Sequence, residues 1–171
     1  MTYPVSIGID NGISGALAAL DGDMRLVGWT AMPTMRARKG NEIDVVAAWQ
    51  WIMRITDGDA RAPLYTIEEP GGSKSARACA SMAGSFHALR AMLALNAWRW
   101  DRVTPRAWQR AMLPGCKPGD TKPRAYEAAR RYWPDESWLA TERCRVAHDG
   151  AIDAALIAMF GWQRNHAREQ G

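Results

Sequence analysis

Cysteine is scarce in this 171-residue sequence, and its spacing excludes a fold built on disulfides. The three cysteines are odd in number, lie far apart and form no C-x-x-C pair. This usage is typical of a reducing compartment. Cys144 and His148 have the spacing of half a zinc site, but no obvious source offers the two further ligands that zinc requires.

Secretory signals, long apolar runs and repeats are also missing. Residues 1–4 contain no basic region followed by an apolar core, and no apolar run approaches the roughly 20 residues of a membrane span. We therefore expect a cytoplasmic protein. Because 47% of the residues are hydrophobic and no internal repeat divides the chain, residues 1–171 are expected to form a single domain.

Acidic residues are few between positions 99 and 131. Nine basic residues stand there against three acidic ones, a net charge of +6, whereas the whole chain carries +4. This uneven charge indicates an anionic partner. Nucleic acid is favoured over a membrane because no long amphipathic basic helix accompanies the stretch. The alternative is a basic face that is merely solvated.

Alternating apolar residues predict a mixed sheet of five strands. Strands are predicted at residues 5–10, 15–21, 25–32, 63–68 and 98–103. The first three are joined by short turns and should form an antiparallel meander. A helix separates the third strand from the fourth, so the fourth should lie parallel to a strand of the meander after a right-handed crossover.

Helical patterns fill most of the remaining chain. A helix should begin at Asn41, a good cap, after a basic surface loop over residues 33–40. Further helices are predicted at residues 75–96, 104–112, 124–133 and 149–164. Small residues crowd the first half of the helix at 75–96, which makes it a candidate dimer face or an ordinary packing face on the sheet.

Carboxylates stand at the ends of two predicted strands and at the start of the last helix. Asp10 ends the first strand and Glu68 the fourth; if these strands are parallel neighbours, both acids lie at the edge where open α/β sheets place their sites. Asp149 and Asp153 share one face of the last helix. The structural alternatives are a turn at Asp10, an N-cap at Asp149 and a dipole-stabilising charge at Asp153.

Convergence of these acids would favour hard cations. Carboxylate oxygens without a Cys/His set suit Mg²⁺, with Mn²⁺ as a substitute. A pair of such ions can stabilise the attacking and leaving oxygens of a phosphodiester displacement. The basic stretch would then hold the phosphates.

Four segments in order resemble the RuvC-type Holliday-junction resolvases. They are IGIDNG with SGA (7–12 and 14–16), TIEE (66–69), VTPRAW (103–108) and DGAIDAALIA (149–158). The common family form has Pro at the place of Asn11. The resemblance implies a ribonuclease H-like α/β fold, a five-stranded mixed sheet flanked by helices, in which Asp10, Glu68 and Asp153 are catalytic metal ligands.

The fourth acidic position departs from the family pattern. Cellular members place that acid at the position of Gly150, whereas this chain offers Asp149 and His148. Asp149 is preferred for its geometry, and His148 is the alternative, as a metal ligand or as a base. Lys122 resembles a lysine that the family keeps near the metals, where it could stabilise charge on the scissile phosphate.

Seven basic residues are candidates for contact with DNA. Two follow Glu68, where the family leads DNA strands toward the metals, and the others lie in the basic stretch; each could equally be a solvated surface charge. They are Lys74, Arg77, Arg106, Arg110, Lys117, Lys122 and Arg124.

Together these features predict a metal-dependent, structure-selective endodeoxyribonuclease. It would resolve Holliday junctions or other branched DNA by paired nicks, as a homodimer acting in DNA recombination and repair. The chain looks most like phage-encoded members of the family, which would place it in the cytoplasm of a bacterial host. Two alternatives are a fragment of an actin-like nucleotide-binding kinase or ATPase, since G-I-D-x-G also occurs there, and a branched-DNA-binding module without catalysis.

Overall fold

A computed structural model describes residues 3–72, 75–117 and 119–170. The strands are β1 (Ser6–Asp10), β2 (Ala16–Leu20), β3 (Leu26–Ala31), β4 (Thr34–Arg36), β5 (Asn41–Ile43), β6 (Leu64–Glu68) and β7 (Trp100–Val103). Five of them form one sheet in the order β3-β2-β1-β6-β7. The pairs within β1–β3 are antiparallel, and β6 is parallel to both β1 and β7. The predicted mixed sheet, with its meander and parallel strands, is confirmed.

Five helices complete the described chain. They are α1 (Val45–Ile55), α2 (Ala76–Leu95), α3 (Pro105–Met112), α4 (Thr121–Tyr132) and α5 (Asp149–Glu169). Thr104 caps α3 as its Oγ1 accepts from the Ala107 amide at 3.3 Å, with Pro105 in the first turn. The predicted cap of α1 is wrong, because Asn41 lies in the β4–β5 hairpin and Asp44 caps the helix instead.

Helices cover both faces of the large sheet. α3, α4 and α5 pack with Ala16, Ala18 and Leu20 on one face, and α1 and α2 pack with Leu17 and Ala19 on the other. Alternate residues of β2 thus enter different clusters, as a pleated strand buried on both sides requires.

The contact between α5 and β1 is close enough to exclude a side chain. A Cβ added to Gly8 would overlap the carbonyl oxygen of Ala154 and lie 2.5 Å from the Ala158 nitrogen. Ser6 Oγ donates to the Ala158 carbonyl at 2.8 Å. The helix that carries Asp153 is therefore seated directly on the strand that carries Asp10.

One helix among the described residues is long and apolar enough to cross a membrane by length and composition alone. This helix is α2, and 28% of its most apolar 18-residue segment is buried inside the protein. The sequence-based expectation that no run approaches such a length is therefore not met. A single helix of this kind also occurs among the core helices of soluble proteins, so it is weak support for a membrane span.

Candidate active site

Asp10 and Glu68 occupy adjacent strand ends. The parallel register pairs Ile9 with Ile67, so the two carboxylates follow at the same edge of the sheet. Asp10 Oδ1 accepts from the Gly12 amide at 3.1 Å. A Cβ at Gly15 would overlap the Asp10 backbone, so the turn after β1 requires glycine there.

Glu68 is held by hydrogen bonds from two directions. Trp108 Nε1, on α3, donates to Glu68 Oε1 at 2.6 Å, and the Asn11 side-chain amide donates to the Glu68 backbone carbonyl. Trp108 is fully buried and Asn11 nearly so. Neither side chain was assigned a role from the sequence. The available signals were the place of Trp108 in a family-like segment and the departure from Pro at Asn11.

Asp153 faces the two strand-end carboxylates from the first turns of α5. Partial burial raises the pKa of Asp153 to about 8, with further contributions from the negative charges of Asp10, Glu68 and Asp149. The pKa of Glu68 rises to about 7 through burial and the charge of Asp10, although the Trp108 hydrogen bond opposes the rise. Burial also raises the pKa of Asp10. The structure thus brings three half-buried carboxyls into mutual repulsion.

Asp149 lies at the exposed rim of this group. Its Oδ2 forms an ion pair with Lys122 Nζ, and this hydrogen bond raises the pKa of the lysine. Lys122 precedes the helix predicted at residues 124–133, but α4 begins at Thr121 and places Lys122 in its first turn. The first turns of α4 and α5 therefore meet beside the carboxylates.

His148 caps α5 and packs against an aromatic ring. Its Nδ1 accepts from the Ala151 amide at 3.1 Å, and its ring centroid lies 5.6 Å from that of Trp29. The N-cap considered for Asp149 is therefore wrong, since His148 fills that position. Nε2 is the ring nitrogen left for any other contact.

Gly150 stands at the position where the resemblance stated above would place an acid, and no side chain fits there. A Cβ at Gly150 would lie 2.6 Å from the Ser14 carbonyl oxygen and 2.7 Å from the Gly15 Cα. The turn after β1 thus blocks the position and leaves Asp149 as the nearest acid at the start of α5.

The carboxylate oxygens of this group suit a divalent cation, although the described side chains are too far apart to bind one as they are placed. No three His, Cys, Asp or Glu residues among those described lie close enough together to hold a metal ion as they are placed. The chemistry of the group nevertheless fits, because burial and then mutual repulsion raise the pKa values of these hard oxygen donors, and a bound cation would offset both effects. Binding would require the carboxylates to draw together.

The basic candidates divide between two sides of this edge. Exposed Arg106, Arg110 and Lys117 line a cleft of about 560 Å³ between α3 and the start of α4. Arg124 pairs with Glu127 at 3.2 Å. Arg77 lies on the α2 side, and Lys74 lies outside the described residues.

The fold belongs to the ribonuclease H-like class, and likeness to solved structures supports this. A scan of the sequence against protein-family models finds no match, and a search of curated proteins finds none either. Among solved structures, the chain resembles Thermus thermophilus RuvC in complex with a Holliday junction substrate, with a TM-score of 0.63, 16% identity and coverage of 96% of this chain and 97% of the other. It also resembles Thermus thermophilus RuvC with a TM-score of 0.59, 14% identity and coverage of 93% and 95%. At these identities the likeness shows the fold.

Proposed function

We propose that this chain is a metal-dependent endodeoxyribonuclease that resolves Holliday junctions or other branched DNA. The observation that carries the proposal is the meeting of Asp10, Glu68 and Asp153 at the carboxyl edge of a ribonuclease H-like sheet, each with a raised pKa. The likeness to a RuvC structure bound to a Holliday junction supports branched DNA as the substrate.

Four carboxylates would hold the metal. Asp10, Glu68, Asp149 and Asp153 would supply its oxygen ligands, with Mg²⁺ as the ion and Mn²⁺ as a substitute. When bound, such ions stabilise charge on the attacking and leaving oxygens of a phosphodiester. Lys122, already beside Asp149, would bind a phosphate oxygen at the scissile position. His148 holds the first turn of α5 in place as its cap.

DNA would reach the carboxylates along the cleft of Arg106, Arg110 and Lys117. Paired nicks require two such sites, so we propose a homodimer. The exposed small and apolar side of α2, which ends at Leu95, would form its interface. We further propose that residues 1–171 form one nuclease domain of phage type that acts in the host cytoplasm.

Removal of a single site carboxylate tests the assignment. Asp10→Asn and Glu68→Gln should each lower Mg²⁺-dependent nicking of a synthetic four-way junction at least about a hundredfold, because one charge-stabilising ligand is lost. Junction binding should remain measurable by electrophoretic mobility shift.

The matched control is Asp59→Asn, an exposed acid on the segment that enters β6 from the opposite edge of the sheet. It should cut like the wild type. Undiminished cutting by Asp10→Asn or Glu68→Gln would remove the site assignment, whereas junction binding without cutting by the wild type would leave a non-catalytic binding module.

A further inference from the structure

The β4–β5 hairpin rises from the same sheet edge as the carboxylates. Asp10 pairs with Ala16 on β2, and Ala16 pairs with Ala31 at the end of β3. The Met32 amide donates to the Gly15 carbonyl at 2.8 Å. The chain therefore enters the hairpin beside the turn that follows Asp10.

The tip of this hairpin concentrates positive charge. Arg36, Arg38 and Lys39 are all exposed, and no ion pair between described residues involves any of them. Gly40, with φ of 88°, closes the tip and its carbonyl accepts from the Ala37 amide at 3.0 Å. The hairpin's single acid is Glu42 on β5.

Arg77 adds a fourth cation from a different element. It lies in the first turn of α2, and its guanidinium donates to the Lys39 carbonyl at 3.5 Å. That turn contains no acidic residue. The hairpin tip and the start of α2 thus form one basic patch, which consists of Arg36, Arg38, Lys39 and Arg77.

Position distinguishes this hairpin patch from ordinary solvated charge. Ile43 of the hairpin belongs to the core cluster on the α1–α2 face, whereas the cleft of Arg106, Arg110 and Lys117 belongs to the α3–α4 face. A groove of about 460 Å³ runs between the hairpin and α2, and Ile13 of the turn after Asp10 forms part of its wall. The carboxylate edge therefore has a basic surface on each side.

We infer that the hairpin patch binds the phosphate backbone of a second duplex arm of branched DNA. This inference rests on the proposed function. One arm that enters along the α3–α4 cleft leaves the tip of the hairpin free, and only a branched molecule brings a second duplex to the same edge. Because the contacts are charge on phosphate, they should be independent of base sequence and sensitive to salt.

Charge removal at the tip tests the inference without reliance on cleavage. In the triple variant Arg36→Gln/Arg38→Gln/Lys39→Gln, the Kd for a four-way junction, measured in EDTA at low salt, should rise on the order of tenfold. The slope of log K against log salt should become shallower by about 2 to 3, since each lost phosphate contact removes nearly one counterion. Binding to a linear duplex of one arm's sequence should change much less.

A double variant of exposed arginines on other surfaces, Arg54→Gln/Arg61→Gln, measures how far a general loss of positive charge weakens binding. Arg77→Gln supplies an independent test of the patch and should weaken junction binding in the same direction. Unchanged junction affinity and salt slope in both patch variants, or an equal loss on linear duplex, would overturn the second-arm contact. Failure of the proposed function looks different, because the wild type itself would then neither cut nor prefer junctions.

Discussion

Glu68 is constrained from two sides at the scale of single residues. Trp108 holds one oxygen of its side chain and Asn11 holds its backbone carbonyl. These two contacts limit the orientations open to Glu68, and the loss of such supporting contacts typically lowers metal affinity or activity tenfold to a hundredfold.

Trp108→Phe removes the indole N–H and retains most of the ring volume. We expect the Mg²⁺ concentration for half-maximal nicking to rise tenfold to a hundredfold. We expect the free energy of unfolding to fall by about 1 to 2 kcal/mol, because the bond to a carboxylate is lost. Nicking against metal concentration and chemical denaturation measure the two effects.

Trp138→Phe is the matched control for that change. Trp138 is also buried, but its Nε1 has no hydrogen-bond partner among the described residues, so no such bond is lost. An equal shift in metal dependence for both variants would assign the effect of Trp108 to packing alone.

The raised carboxyl pKa values predict how stability depends on pH without metal. With a pKa of about 7 for Glu68 and about 8 for Asp153, the folded state binds more protons than the unfolded chain between about pH 4 and about pH 8. Stability conferred by the protonated forms is therefore lost as pH rises through 7 and 8. In EDTA, the wild type should melt at a lower temperature at pH 8.5 than at pH 6.

Neutral replacements should reverse that loss. At pH 8.5, Glu68→Gln and Asp153→Asn should each raise the free energy of unfolding by about 1 kcal/mol, which corresponds to a rise in melting temperature of about 2–4 °C. At pH 6 the gain should be smaller. Thermal melts at both pH values measure it, and destabilisation by both replacements at pH 8.5 would contradict the mutual repulsion.

The seating of α5 on β1 fixes the site at the scale of secondary-structure elements. Gly8→Ala would force the helix away from the strand, because the new Cβ overlaps backbone atoms of Ala154. Overpacking of this kind costs about 1–3 kcal/mol or more, and the shift of α5 would carry Asp153 away from Asp10. We expect lower stability in denaturation and lower nicking together.

Gly22→Ala serves as the control, since an added Cβ there meets nothing within 4 Å. It should leave both stability and nicking near wild-type values. If Gly8→Ala folds and cuts normally, the close contact does not position the site.

Elements with a strong local signal were predicted, and elements that depend on distant partners were not. Alternation in β1 and the Thr104-Pro105 pair are local features, and both elements formed as expected. The hairpin at Asn41 was missed because its short strands pair only with each other and carry mostly polar residues. In the same way, the need for glycine at position 8 could not be predicted, because it depends on the close approach of α5, about 150 residues further along the chain.

At the scale of the whole molecule, the sequence could predict those parts of the candidate site that depend on the strand order of the sheet. Parallel β1 and β6 bring Asp10 and Glu68 to one edge, a consequence of strand order that the sequence pattern already indicates. The Trp108 contact depends instead on side-chain packing between α3 and β6. The structural match to RuvC covers 96% of this chain at only 16% identity. The strand order is thus shared where most side chains differ.

The central claim is that this edge of the sheet cuts branched DNA with the help of a divalent ion. The most direct measurement is strand-specific mapping of nicks in a synthetic four-way junction incubated with the wild type and Mg²⁺, beside a linear duplex of the same sequence. We predict two symmetric nicks in the junction, none in the duplex, and loss of both nicks with EDTA or with Asp10→Asn. No nicks with either Mg²⁺ or Mn²⁺, or equal cutting of the linear duplex, would contradict the account.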